Sequence, residues 1–457
     1  MLRTRGESIL DSKQEEKFIR MTTEPVGRLI CQMAVPTIIS MMVTALYNMA
    51  DTYFVGMLKS NSATGAIGVA FSLMTVIQAI GFFFGQGSGN YISRQLGKQK
   101  TGDAEIMAAS GMVMAFLAGT VVLTLGQIFL KPLARLLGST ETILPYACDY
   151  LRFILIGAPY MTASFVLNNQ LRFQGSAFNG MIGIATGAII NIALDPLLIF
   201  VFGLGVRGAA IATIISQLIS FCLLLYGTSR PGNVRIHLQN VRFTGAIFLQ
   251  ICKGGVPSLF RQGLISVATI CLNRAAGVYG DAAIAAMSVV SRAMGTAQSA
   301  LIGFGQGFQP VCGFNYGAHL FDRVKKAFAF CVRTATIGLL ILSVVGFLFA
   351  PQIVAIFRDD PEVIAFGAKA MRIQCITFSL GGLVMIGNMM TQTMGKTLQA
   401  SILAAARQGL FFIPAVLILP KLLGPLGVQL SQSVSDTCAF LLALPLVISV
   451  LRGLKDE

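Results

Sequence analysis

The chain has 457 residues, of which 55% are hydrophobic and only 12% charged, with a mean hydropathy of +0.75. A soluble chain carries about 25% charged residues, so this one lacks the polar surface that several water-facing domains need. Its net charge of +15 matches the Lys and Arg excess of cytoplasmic membrane-protein loops, and no basic stretch is interleaved with aromatics; a soluble enzyme, a nucleic-acid binder and a disordered scaffold are excluded.

In chain order, residues 1–28 are polar and mixed in charge, and are expected as a cytoplasmic N-terminal segment without a cleavable signal peptide. A bilayer core takes about 20 apolar residues of helix, and roughly twelve runs reach that length. They fall at 29–55, 65–90, 106–127, 146–167, 179–202, 207–226, 255–277, 283–312, 328–349, 364–390, 397–420 and 427–451. The first six make a lobe at 29–226 and the last six a lobe at 255–451. Residues 227–254 hold Arg230, Arg235, His237, Arg242 and Lys253 with no acid, and form a basic cytoplasmic linker. Residues 452–457 form a short cytoplasmic tail. The even-numbered crossings return to the side that also carries Arg94, Lys98, Lys100, Arg323, Lys325 and Lys326, whereas Lys59, Lys131, Arg135 and Arg207 opposite are diluted by acids. The excess places both termini in the cytoplasm.

Within this order one pattern occurs twice. Val35-Pro36 opens span one and Val256-Pro257 opens span seven; Gly85-Gln86-Gly87 ends span two and Gly305-Gln306-Gly307 ends span eight. Gly97 matches Gly317, Arg152 matches Arg372 and Gly175 matches Gly395. The pairs stand 220 or 221 positions apart, which implies a duplicated six-helix unit. Both copies start on the same side, so they are parallel repeats, expected to pack around a central cleft. The fold class is therefore all-α integral membrane, with about 12 transmembrane helices. Pro36, Pro159, Pro196, Pro257, Pro310 and Pro414 fall in or beside spans and can bend them.

Of the 19 acids, Asp51, Asp195 and Asp436 fall inside apolar runs. A carboxylate at membrane depth costs about 2.5–3.5 kcal/mol on insertion scales, and such groups commonly handle protons or cations. Tyr47 and Asn48 precede Asp51 by one turn and share its helix face, as Asn191 shares that of Asp195. The two acids with their amide and hydroxyl neighbours make either a proton-sharing cluster or an oxygen cage for Na⁺. Asp436 lies on a polar face with Ser431, Gln432, Ser433, Ser435 and Thr437, to line the cleft or to tie helices together. Arg292 is deep enough to face the cleft and neutralise a carboxylate; Arg261, Arg333, Arg372 and Arg407 read as snorkelling side chains. The nine cysteines form no CxxC pair and the two histidines lie in loops, so no metal centre or cofactor is expected beyond a coupling ion.

Twelve spans in two halves, the GQG pair, Asn191-Ile-Ala-Leu-Asp195-Pro196-Leu-Leu-Ile-Phe200 and Gly205-Val-Arg-Gly-Ala-Ala-Ile-Ala-Thr213 together resemble the multidrug and toxic compound extrusion (MATE) family, in its bacterial multidrug-export branch. The resemblance covers nearly the whole chain after residue 28. It implies a secondary active antiporter in the bacterial inner membrane, not an enzyme, that expels organic cations or drugs in exchange for H⁺ or Na⁺ by alternating access. It implies a cation site at Tyr47, Asp51, Asn191, Asp195 and Thr213, with Na⁺ on Asp51, Asn191, Asp195 and Thr213 if sodium is the coupling ion. Tyr150 and Asn168 are looser matches for support of that site. Another branch carries acids in spans seven and ten, where this chain has Arg261, Gln262 and Asn273, and Gln374, Thr377 and Asn388 instead. A duplicated chain holding its own cleft implies a functional monomer in the lipid bilayer, without nucleic-acid partners. The rival readings are a lipid-linked oligosaccharide flippase of the same fold superclass, a passive channel and an intramembrane protease. The first needs a more cationic cleft, the second a filter segment and the third paired catalytic acids or Ser and His.

Overall fold

The computed structural model describes residues 2–57 and 61–454, with side chains from residue 12 onward except 48, 52, 56 and 61–64. Lys59 and the last three residues of the tail therefore lie outside the described residues. No strand occurs among those described. The first copy runs α1 (Leu2–Thr23), α2 (Val26–Gly56), α3 (Asn61–Gly97), α4 (Thr101–Ile128), the short α5 (Leu130–Leu136), α6 (Leu144–Phe173), α7 (Ala177–Pro196) and α8 (Val206–Thr228). The second runs α9 (Gly245–Gly277), α10 (Asp281–Gly317), α11 (Phe321–Leu348), the short α12 (Ala350–Phe357), α13 (Pro361–Phe378), α14 (Gly381–Thr393), α15 (Thr397–Ala405), α16 (Ile413–Leu423) and α17 (Pro425–Gly453).

Ten helical runs among the described residues are long and apolar enough to cross a membrane, and α13 with α14 makes an eleventh. The remaining expected span, 283–312, falls in α10. That helix has the length, but interleaved Ser, Thr, Gln and Gly keep its hydropathy below the others.

The duplication is visible in the backbone. Helices α3 and α10 each have 37 residues, and α4 and α11 each have 28. Left-handed positions recur in step: φ is 58° at Gln99 and 59° at His319, 79° at Gly175 and 80° at Gly395. At Gln99 and His319 the chain turns out of a helix and caps it, through Lys100 N–H to the Gln95 carbonyl at 2.9 Å and Leu320 N–H to the Asn315 carbonyl at 2.8 Å. Asp103 and Asp322 then open α4 and α11, where negative charge suits the positive helix end. Even a side-chain tie repeats: Gln127 donates to the Arg152 carbonyl at 2.7 Å, and Arg372 to the Phe347 carbonyl at 3.2 Å.

The GQG triplets do not end their helices. Both lie inside, in α3 and α10, because their glycines serve close helix approach. A Cβ on Gly87 would collide with the Ile251 carbonyl, and one on Gly307 with the backbone of Ala34.

Two compact units form. One comprises Met1–Glu24 and Val35–Gly255, the other Pro25–Ala34 and Val256–Glu457. The opening turns of α2 thus belong to the second unit and those of α9 to the first, with the changeover just before Pro36 and Pro257. The loop between α8 and α9 is 229–244, shorter than the expected 227–254 because α9 is already helical from Gly245.

In the first unit α6 is the central helix, packed by α3, α4, α7 and α8 and more buried than any other candidate span. It runs unbroken through Pro159. Its counterpart in the second unit is bent by 55° between α13 and α14, where Gly381-Gly382 replaces proline as the weak point.

Residues 2–23, expected only as a polar segment, form the helix α1. Lys17 fastens it to the first unit, with Nζ donating to Ser176 Oγ at 2.8 Å, the Gly232 carbonyl at 2.7 Å and Asn233 Oδ1 at 2.8 Å. Burial, and after it the Arg20 charge, push the Lys17 ammonium down to about 7. Met21, one turn further on, is buried and lies against Gly175.

Candidate cation site

Asp51 lies near the C-terminal end of α2 and Asp195 at that of α7, and both are buried, at 8% and 0% exposure. Asp195 lies close enough to Asp51 to feel its charge. Tyr47, one turn before Asp51, lies near both carboxylates and lines one small cavity with Gln217. From the central helix α6, the Tyr150 hydroxyl donates to Asp51 Oδ2 at 3.4 Å and lies near Thr213 on α8. Asn191 Nδ2 spans Asp195 Oδ1 and Thr213 Oγ1, both at 3.5 Å. The Thr213 hydroxyl donates to the Ala209 carbonyl at 3.0 Å, which leaves its lone pairs free to accept.

These contacts are long for hydrogen bonds, and the cluster has more acceptors than donors. Asp51 Oδ1, Asn191 Oδ1 and Asp195 Oδ2 are buried and make no hydrogen bond. Buried acceptors without donors are uncommon in a finished core. A shared proton, or a hard cation that prefers oxygen ligands, would satisfy them.

Local sequence explains the placement. Pro196 cannot donate to the carbonyl one turn back, and the helix widens into a π-turn over Leu197–Val201, a feature frequent at functional sites. Beside Tyr47 and Asn191 lies a cavity of about 60 Å³, also lined by Thr44, Gln78, Ser216 and Gln217. It admits several waters, whereas drug sites occupy roughly 300–1,000 Å³.

The structure brings together Tyr47, Asp51, Tyr150, Asn191, Asp195 and Thr213, in one unit and on four helices. Asn168 stands apart. It packs against Gly180 near the start of α7, and at about 1.5 Å per residue it is some 27 Å along α6 from Tyr150. The side chain of Asn48 lies outside the described residues. Arg292 is exposed on α10 and meets no carboxylate among the described residues.

Asp436 belongs to a different arrangement. Arg407, expected to snorkel, turns inward and pairs with it at 2.7 Å, while also donating to Gln298 at 2.8 Å. Gln432 donates to the same carboxylate at 2.8 Å. Arg407 sits in a second π-turn, Ala406–Phe412, and Ser435 donates to its carbonyl. Residues 29 positions apart leave no periodic trace of such a pair; the available signal was that a buried Asp in a neutral helix requires a partner.

The MatE family model matches this chain twice, over residues 36–197 and 257–417. The multidrug export protein MepA of Staphylococcus saprophyticus subsp. saprophyticus is 26% identical over 440 residues, which cover 96% of this chain and 97% of that protein. Among solved structures, a MATE crystallised in complex with MaL6 superposes with a TM-score of 0.90 at 24% identity, over 96% of this chain and 99% of the other. A multidrug resistance MATE family transporter of the MOP superfamily in an outward-facing conformation gives 0.89 at 24% identity, over 96% and 99%.

Proposed function

The chain belongs to the MatE family, and on that footing we propose that it is a secondary active exporter of organic, mostly cationic drugs, driven by inward movement of H⁺ or Na⁺. The observation that carries this reading is the pair of buried carboxylates, Asp51 and Asp195, with three acceptor oxygens that no donor satisfies. A transporter that spends an ion gradient needs a site able to hold that ion at membrane depth, where lone carboxylates are costly. The adjoining cavity suits an ion and its waters rather than a drug. The name of the staphylococcal relative, a multidrug export protein, supports drug-like cargo.

In this mechanism no covalent chemistry occurs. Cation binding removes negative charge between α2 and α7 and lets these proline-bearing helices repack, which biases the protein toward one of its two access states. A cationic substrate is attracted while the carboxylates are charged and released once they are neutralised. The protein acts as a monomer in the plasma membrane with both termini in the cytoplasm, and requires only its coupling ion.

The test is ethidium efflux from proteoliposomes with a pH gradient and a Na⁺ gradient imposed separately. Efflux driven by one gradient, and lost in both Asp51→Asn and Asp195→Asn with folding intact, is the expected result. Wild-type activity in both variants would overturn the ion site, and failure of both gradients to drive efflux would overturn the export reading.

A further inference from the structure

Charge at membrane depth is divided between the two repeats. The first carries Asp51 and Asp195. The second carries Arg261, Arg292 and Arg407 against the single Asp436. Arg407 and Asp436 cancel in a tight pair, so the second repeat keeps an uncompensated positive charge. Its most built element is Arg261, at the midpoint of the 33-residue helix α9. The apolar run of that helix opens at 255, so at about 1.5 Å per residue Arg261 lies roughly 9 Å inside it, and its side chain is tied to α14.

Arg261 is held in place but not neutralised. Its Nη1 donates to Asn388 Oδ1 on α14 at 3.2 Å. Asn388 is itself oriented, because its Nδ2 donates to the Ala400 carbonyl at 2.6 Å. One helical turn away on both helices, Gln392 donates to Ser258 at 2.8 Å. The two ties form a ladder between α9 and α14 that fixes the guanidinium. No carboxylate meets it, and it makes no other hydrogen bond among the described residues. A guanidinium carries five N–H donors in a planar fork, so most of its capacity is unused. In the first repeat Ser40 occupies the matching position, so the charge belongs to the second copy alone.

We propose that Arg261, oriented by Asn388, is a subsite for an anionic oxygen group on the exported molecule, a carboxylate above all, which a guanidinium fork binds with two parallel hydrogen bonds. The reading rests on the export function proposed above and narrows its cargo: zwitterionic drugs, bearing an amine and an acid, are favoured over simple cations. The same chemistry would hold a lipid phosphate, and the lipid composition of the nanodisc separates the two sources.

Rhodamine B, with its free carboxylate, and its ethyl ester share one cationic chromophore and separate the acid from the rest of the ligand. Their binding is measured by fluorescence anisotropy to the full chain in nanodiscs at pH 7. The wild type is expected to favour the acid over the ester by about tenfold. Arg261→Gln is expected to bring that ratio near one, and Arg261→Lys, which keeps the charge without the fork, to leave it intermediate. Monodisperse elution and an unchanged melting temperature establish that the variants are folded. A wild type that does not distinguish acid from ester, or an Arg261→Gln variant with the wild-type ratio, overturns the subsite. An acid preference present in phosphatidylcholine but abolished by phosphatidylglycerol overturns it in favour of a headgroup site. Ethidium efflux by the wild type separates the two readings: if ethidium is exported and the ratio is one, only the Arg261 assignment is lost, and if ethidium is not exported, the export function itself is lost.

Discussion

Arg407 and Asp436 form an ion pair with Nε 2.7 Å from Oδ1 and Nη2 3.5 Å from Oδ2, and 2% of the Asp436 side chain is exposed. Through Gln298 and Gln432 the pair joins α10, the π-turn and α17. Removing one partner strands the other charge. Asp436→Ala is expected to lower unfolding stability by about 3 kcal/mol, the lower end for buried pairs because 19% of the Arg407 side chain stays exposed. Replacing both by Met and Leu restores most of that loss. Thermal melts of the purified variants in detergent decide it.

Tyr150 contacts Asp51 at 3.4 Å, a long and therefore weak bond. Tyr150→Phe is expected to reduce ion-driven efflux only about two- to tenfold, the worth of one long, weak hydrogen bond. Asp51→Asn abolishes it. Ion-concentration curves of efflux separate the two, since Tyr150→Phe shifts the midpoint and Asp51→Asn leaves no curve to fit.

Helix α3 offers one substitution with opposite outcomes. At Gly68 nothing lies within 4 Å of an added Cβ, and alanine is the better helix former, so Gly68→Ala stabilises by about 0.5–1 kcal/mol. At Gly87 the Cβ meets the Ile251 carbonyl, and Gly87→Ala destabilises by about 1–3 kcal/mol. Melting temperatures that move in the same direction for both would contradict the packing of α3 on the start of α9.

Lys17 makes the docking of α1 depend on pH. Its ammonium is pushed down to about 7 in the docked state, from 10.5 when free. Below about 7 both states are protonated and docking is flat with pH. Between there and 10.5 only the undocked state carries the extra proton, so docking strengthens as pH rises. Amide exchange of residues 12–23, corrected for intrinsic rate, should slow from pH 7 to 9, and Lys17→Met should remove that slope.

Much of the fold was legible because membrane insertion writes itself as long apolar runs, and the GQG, Val-Pro and Gly175/Gly395 matches exposed the duplication. Asp51 and Asp195 stood out for the same reason, as charges where charge is costly. What stayed hidden depended on contacts between distant segments. Arg407 looked like a helix-end residue because the π-turn and Asp436 that hold it inward are not local features. Asn168 matched by resemblance, yet lies several turns along α6 from Tyr150. The α13–α14 bend left no proline signal: Pro159 sits in an unbroken helix, and the break occurs at the paired glycines Gly381-Gly382. Helix α1, mostly polar, offered no long apolar run; its order comes from Lys17 and Met21 docking.

The exchange of opening turns at Pro36 and Pro257 bears on how such a gene could have doubled. A half-chain cut within residues 229–244 would keep Pro25–Ala34, which packs in the second unit, and would lack Gly245–Gly255, which packs in the first. An ancestral single copy could have satisfied Gly87 only with the start of its own first helix or with that of a twin. The segment that was copied and the segment that folds are therefore offset by the first turns of one helix, and a separated half would expose that offset as an unfilled groove beside its own GQG glycines.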